Sequence, residues 1–223
     1  MTTPTAFLSR LCEADLEALS RRWTVHSYKH SEFIIAHGDS DRDAFFLLEG
    51  RARVTLYSEE GKEIAYRDIT PGDIFGELAC IDGKERSASI VALEATRAAR
   101  LPPAVFRELV ESHPRLAWSL LEHLSGLLRR MTDRVYEFST LVVRERLILE
   151  LIRRAQEAGA TDGHVLIEPA PTHFERASRI STHREAVSRE MSSLAKRGLI
   201  AKRGNRLLLN DLAALEALAG REE

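Results

Sequence analysis

Seven apolar residues, Leu120, Leu124, Leu127, Met131, Val135, Phe138 and Val142, recur at steps of 4, 3, 4, 4, 3 and 4. Such steps keep side chains on one face of a helix, so the spacing predicts a long helix, beginning near Arg115, with a heptad-like seam and one stutter. A helix that serves only its own small domain runs about three turns, and this seam is longer. Its N-terminal part can pack on a neighbouring core. The continuous remainder calls for a partner helix, most simply a second copy across a two-fold axis.

The seam divides two halves of different texture. From Trp23 to Leu101 short apolar or alternating runs predict strands: Phe33–Ile35, Ala44–Leu48, Val54–Tyr57, Ile64–Tyr66, Ser87–Val91 and Arg97–Leu101. Turn residues punctuate them at His37-Gly38-Asp39, Glu49-Gly50-Arg51, Glu60-Gly61-Lys62, Pro71-Gly72-Asp73 and Asp82-Gly83-Lys84. Strands about ten residues apart imply a small antiparallel barrel or sandwich. Pro102-Pro103 ends this region, and a short helix over Ala104–Glu111 precedes the long one.

Beyond Val143 the pattern predicts a helix over Arg144–Ala158, closed by Gly159, and a short strand over His164–Glu168. Thr172-His173-Phe174-Glu175 has capping-box spacing, which opens a helix through about Ile180. Ser181-Thr182 makes a turn, and a second helix runs from His183 to Arg197, stopped by Gly198. Two short helices around a tight turn are a helix-turn-helix. On the second helix Val187, Met191 and Leu194 form one apolar stripe, and Arg184, Glu185, Ser188 and Arg189 project from the opposite side. Arginine can donate two hydrogen bonds to guanine, and glutamate can accept from cytosine N4. An acid among phosphates is costly without such a donor, so Glu185 is the most informative of the set. Leu199–Ala201 and Leu207–Leu209 flank Lys202-Arg203-Gly204-Asn205-Arg206, a hairpin whose basic tip suits phosphate. Asp211 is placed to cap a last helix, Leu212–Leu218.

Charge agrees with this division. The chain carries a net charge of −2, yet Thr172–Arg206 holds nine basic residues against three glutamates, a local excess suited to a polyanion. Apolar residues make up 44% and charged residues 30%, which excludes a disordered chain. The N-terminus lacks a signal-peptide pattern and no apolar run reaches membrane-spanning length, so a cytoplasmic protein is expected. Cys12 and Cys80 fit no metal or redox spacing, and the eight histidines show no paired-ligand or HExxH arrangement. Neither a metal site nor an enzyme is expected. Cys80 reads as a small buried hydrophobe.

Phe75-Gly76-Glu77-Leu78, then Arg86-Ser87-Ala88 after a short spacer, carries the other chemistry. Gly76 permits close approach to the backbone, Arg86 offers a forked donor, Ser87 a hydroxyl, and Glu77 an acceptor for a ribose 2′-hydroxyl. This stretch resembles the phosphate-binding cassette of cyclic-nucleotide-binding domains. With the order of elements and Arg184-Glu185-Ala186-Val187-Ser188-Arg189, nearly the whole chain, from about Leu8 to Leu218, resembles the cyclic AMP receptor protein/FNR family.

The resemblance implies an α+β chain: a cyclic-nucleotide-binding β-roll (a jelly roll) over 1–112, a dimerisation helix and hinge over 113–143, and a winged helix-turn-helix over 144–223. It implies cyclic AMP or cyclic GMP as an allosteric ligand, with Glu77 on the ribose, Arg86 and Ser87 on the phosphate, and Gly76 and Leu78 in the pocket wall. Thr132 is the expected base contact from the long helix. It further implies a homodimer on a palindromic TGTGA-like operator in double-stranded DNA, read by Arg184, Glu185 and Arg189. Thr172, His183 and Ser188 join them as DNA contacts, and RNA polymerase is the expected further partner. Three residues depart from the family pattern: Arg176 where an apolar residue is usual, Ser181 where glycine is common, and His183 where serine is frequent. The competing reading keeps the DNA-binding scaffold and replaces the effector with haem, an iron–sulfur cluster or redox state; two cysteines cannot supply a four-cysteine cluster.

Overall fold

The structure is a computed structural model that describes residues 6–59, 63–159 and 163–220. The expected turn at Glu60-Gly61-Lys62 lies outside the described residues. The chain forms two compact units, divided between Arg129 and Arg130, inside the long helix.

In the first unit two four-stranded antiparallel sheets face each other. One has the order β1 (Thr24–Tyr28), β8 (Thr96–Leu101), β3 (Ala44–Glu49), β6 (Ile74–Phe75); the other β2 (Phe33–Ile35), β7 (Ser89–Ala92), β4 (Ala52–Tyr57), β5 (Glu63–Ile69). Ile35, Phe45, Leu47, Ala52, Ile69, Phe75, Ile90 and Ala98 point inward from both sheets and form their shared core. The unbroken apolar run of β3 has a simple cause. Ala44 and Phe46 point the other way, into a second core capped by Phe7, Leu19 of α1 (Glu13–Ser20), Phe106 and Leu109 of α3 (Pro103–Ser112) and Leu116 and Leu120 of α4 (Pro114–Thr140). β3 is buried on both faces, which is where alternation disappears. A six-residue helix, α2 (Glu77–Asp82), follows β6.

The seam divides as its length implies. Leu120 is buried in the first unit, whereas Met131, Val135 and Phe138 are exposed. Val142 is not a seam residue. The helix ends at Thr140, and Val142 is extended (φ −74°, ψ 164°) as the N-cap of α5 (Val143–Glu157). Its N–H donates to the Glu145 carboxylate at 3.0 Å, a contact that caps the start of α5.

In the second unit α5 buries Leu147, Ile148, Leu151 and Ile152 against a three-stranded sheet and three helices. The sheet order is β10 (Ile200–Arg203), β11 (Arg206–Leu209), β9 (Val165–Ile167). The helices are α6 (His173–Arg179), α7 (Arg184–Lys196) and α8 (Leu212–Leu218), the last capped by Asp211 accepting from Ala214 N–H at 2.8 Å. Among the described residues no helix is long and apolar enough to cross a membrane, and no three His, Cys, Asp or Glu side chains gather as a metal site.

Candidate ligand and nucleic-acid sites

The β6–α2 junction turns on Gly76, whose φ of +72° favours glycine. A Cβ there would lie 2.8 Å from Arg86 Nη1 and 2.9 Å from Ile35 Cδ1, so backbone and guanidinium meet only because no side chain intervenes. Arg86 is 3% exposed. It donates to the carbonyls of Gly76 and Asp43, both at 2.8 Å, and to the Asp41 carboxylate at 3.2 Å. Its main chain is held by the same loop: Gly38 N–H donates to Arg86 O and Arg86 N–H to Asp39 O. Among the described residues its Nε is buried with no hydrogen-bond partner, which calls for an explanation.

Asp41 also lies 3.3 Å from Arg100, which donates to Asp43 as well. Burial raises the Asp41 carboxyl pKa, but Arg86 and Arg100 outweigh it and hold the group below its ordinary value. Glu77 is buried at 4% exposure, and its Oε1 lies 3.6 Å from Nε2 of His123 on α4. Ser87 is exposed beside Arg86 but stands in a bend, since β7 begins at Ser89 rather than Ser87. Leu78, the second residue of α2, is 47% exposed. Thr132 belongs to the other compact unit.

Sequence reasoning missed Asp41, Asp43 and His123. His123 lies three residues after Leu120 on the buried face of α4, a spacing that identifies it as inward-pointing. The acids stand in a loop, where periodicity carries no signal. Cys80 is buried, and its thiol is pushed up to about 11 chiefly by burial, so it is no reactive thiol.

In the second unit Thr172 caps α6 as expected. Glu175 N–H donates to Thr172 Oγ1 at 3.1 Å and Thr172 N–H to the Glu175 carboxylate at 2.8 Å, so this hydroxyl serves the helix start. Ser181 takes φ +51° in the turn, the conformation glycine usually supplies. His183 is the N-cap of α7; Val187, Met191 and Leu194 are buried, Ser188 is half-buried, and Arg184, Glu185 and Arg189 are exposed. His173 has its pKa lowered chiefly by burial, and further by the nearby cations Arg176, Lys202 and Arg184.

Two of the nine basic residues do not contribute to that surface. Arg176 and Arg179 are 4% and 5% exposed. Arg179 Nε lies 3.6 Å from Glu150 on α5, which also meets Arg153 at 3.3 Å and Arg154 at 3.5 Å. Arg153 reaches Glu137, near the end of α4, at 2.6 Å. A buried ionic cluster therefore ties the end of the long helix to the first helix of the helix-turn-helix. The reason lies in the sequence: Glu150, Arg153 and Arg154 share the face of α5 toward α6 at helical spacing.

A cyclic-nucleotide-type β-roll followed by a long helix and a helix-turn-helix defines a ligand-responsive transcription regulator, a class that is not enzymatic. Residues 25–113 match the cyclic nucleotide-binding domain and residues 145–218 the Crp-like helix-turn-helix domain. The chain belongs to the Crp/Fnr family of transcription regulators. The CRP-like cAMP-activated global transcriptional regulator of Mycobacterium tuberculosis is 24% identical over 197 residues, covering 88% of each chain. The structure of a CRP/FNR-family transcriptional regulator from Thermus thermophilus is 27% identical with a TM-score of 0.72, covering 90% of this chain and 100% of that one. The c-di-GMP-responsive global regulator CLP of Xanthomonas campestris shares the fold, with 18% identity, a TM-score of 0.77, and coverage of 89% and 99%.

Proposed function

We propose that the chain is a cytoplasmic homodimer that binds cyclic AMP or cyclic GMP and, in response, reads a palindromic TGTGA-like operator. The observation that carries the ligand reading is Arg86: a buried guanidinium beneath a left-handed glycine, with one N–H unpaired and a buried carboxylate next to that glycine. Arg86 and Ser87 would hold the phosphate, Glu77 the ribose hydroxyl, and Gly76 and Leu78 would border the ligand. The nucleotide supplies a fixed negative charge and an oriented hydroxyl.

The exposed seam, Met131, Val135 and Phe138, supports pairing with a second copy. Ligand binding acts through differential affinity for one arrangement of the pair, the one that sets two recognition helices about 34 Å apart, a full DNA turn. Arg184, Glu185 and Arg189 read bases; Thr172, His183 and Ser188 serve as backbone contacts, with RNA polymerase as the further partner. We take the β-roll as 1–112, the helix and hinge as 113–143 and the DNA-binding domain as 144–223.

The test is calorimetric titration with cyclic AMP and cyclic GMP in parallel, with operator binding measured alongside. Arg86→Ala is expected to abolish nucleotide-dependent DNA binding while the dimer persists. Unchanged nucleotide affinity in that variant would refute the pocket assignment.

One observation favours a second reading, a different effector on the same scaffold. Arg86 already has Asp41 and two carbonyls as partners, and the Xanthomonas neighbour is described as responding to c-di-GMP. Failure of both cyclic mononucleotides to bind would turn the assignment to that reading.

A further inference from the structure

The buried pair Glu77 and His123 is incompletely bonded. Their facing atoms, Oε1 and Nε2, are 3.6 Å apart, beyond a good hydrogen bond. Among the described residues Nε2 has no hydrogen-bond partner, and the side chains are 5% and 9% exposed. The edge of the imidazole ring is fixed by Phe7, whose ring meets it edge-on with centroids 5.9 Å apart. Buried polar atoms left without partners are rare and call for an explanation.

We propose that His123 is a second reader of the ligand's ribose, acting with Glu77 on one hydroxyl. A hydroxyl carries one donor and two acceptor lone pairs. A carboxylate satisfies only the donor. An imidazole with its proton on Nε2 supplies the complementary donor. A single oxygen about 2.8 Å from both atoms closes a triangle on the 3.6 Å base with ordinary hydrogen-bond lengths. The two residues lie on different elements, Glu77 at the start of α2 and His123 on α4. A hydroxyl bridging them would therefore also join the ligand cassette to the long helix. This rests on the nucleotide reading above and deepens it, because it makes the pair selective for a ribose over a 2′-deoxyribose.

The experiment compares cyclic AMP with 2′-deoxy cyclic AMP, by calorimetry, on the full-length protein and on His123→Met and His123→Gln. The quantity read is the ratio of the two affinities. The unmodified protein is expected to prefer the ribonucleotide. His123→Met should shrink that preference about five- to tenfold, the scale of one lost hydrogen bond. His123→Gln, which keeps an N–H donor, should retain most of it. If His123→Met does not fold, His123→Asn, which keeps a donor but shortens its reach, should show the same loss. Equal weakening of both ligands, with the ratio unchanged, assigns His123 a packing role and overturns the inference while leaving the nucleotide reading intact. Equal affinity of the unmodified protein for both ligands overturns it too. Binding of neither ligand removes the nucleotide reading itself, and the inference with it.

Discussion

The Asp41 carboxylate lies 3.2 Å from one guanidinium nitrogen of Arg86, so an acid of the chain itself sits on the arginine assigned to the ligand phosphate. Arg86 is almost wholly buried, whereas the Asp41 side chain is 41% exposed and has a second partner in Arg100 at 3.3 Å. The acid can therefore yield toward solvent at small cost, while the arginine cannot. An incoming phosphate must replace that contact, and its net affinity is reduced by whatever the contact is worth. We predict that Asp41→Asn, which keeps the shape and removes the charge, binds cyclic nucleotide more tightly. An increase of about tenfold corresponds to about 1.4 kcal/mol, a modest charge-assisted bond. Calorimetric titration decides it, and equal or weaker binding would show that Asp41 does not oppose the ligand.

The recognition surface separates reading from docking. Glu185 is exposed on the N-terminal half of α7, whereas Lys202 is an exposed residue of β10, paired with Leu207 of β11. Glu185→Ala should relax sequence preference at one base pair by about 1–3 kcal/mol. Lys202→Ala should weaken binding to all sequences alike and lower the slope of log affinity against log salt by about one. Competition assays on single-base operator variants, repeated at several salt concentrations, separate the two. A uniform loss from Glu185→Ala would remove its base-reading role.

Much of this was legible from residue spacing. Turn residues and short apolar or alternating runs marked the strands, and the Thr172–Glu175 box and Gly198 bounded the helix-turn-helix, because caps and turns are local physics. What escaped notice depends on tertiary contact. A two-residue strand such as Ile74–Phe75 exists only because β3 pairs with it. The Asp41–Arg86 contact joins residues 45 positions apart, and no local pattern announces it. The count of basic residues over Thr172–Arg206 overstated the DNA-facing charge because Arg176 and Arg179 turn inward. Arg176, a departure from the family pattern on sequence grounds, is explained by burial near the ionic cluster rather than by a contact to phosphate.

Cys80 provides a check on redox sensing. Its thiol is buried and pushed up to about 11, against 9.0 for an ordinary cysteine, so at neutral pH the folded protein holds almost no thiolate there. Thiolate is the reacting species, and Cys80 should react with a thiol reagent far more slowly than Cys12, which is only partly buried. The linkage has a definite sign. Between about pH 9 and 11 the unfolded chain loses this proton and the folded chain keeps it, so this residue's contribution makes stability fall as pH rises. Cys80→Ala should flatten that part of the stability curve. Rapid modification of Cys80 in the native protein would instead revive a redox reading.

The ionic cluster between α4, α5 and α6 makes opposite predictions for two of its neighbours. Glu150 is 4% exposed and lies within 4 Å of Arg153, Arg154 and Arg179. Removing its charge takes away the one acid that all three guanidiniums share, although Glu137 still meets Arg153 and Glu157 still meets Arg154. Glu150→Ala should therefore cost about 3–5 kcal/mol, the scale for breaking a buried ion pair from one side. Arg176 is in the reverse position. It is equally buried, and burial, only partly offset by Glu175 and Glu150, pulls its guanidinium down from the ordinary arginine range to about 10. A base with a lowered folded-state pKa is penalised for carrying its charge: that penalty is fully present at neutral pH, and is relieved only as pH rises through about 10 toward the ordinary arginine range. Arg176→Met, similar in length and uncharged, should therefore leave stability unchanged or raise it by up to about 4 kcal/mol. Operator affinity should not change, because the side chain does not reach the DNA-facing surface. Urea unfolding of both variants with operator titration provides the test. A loss of DNA binding in a stably folded Arg176→Met protein would show that this arginine acts on the DNA after all.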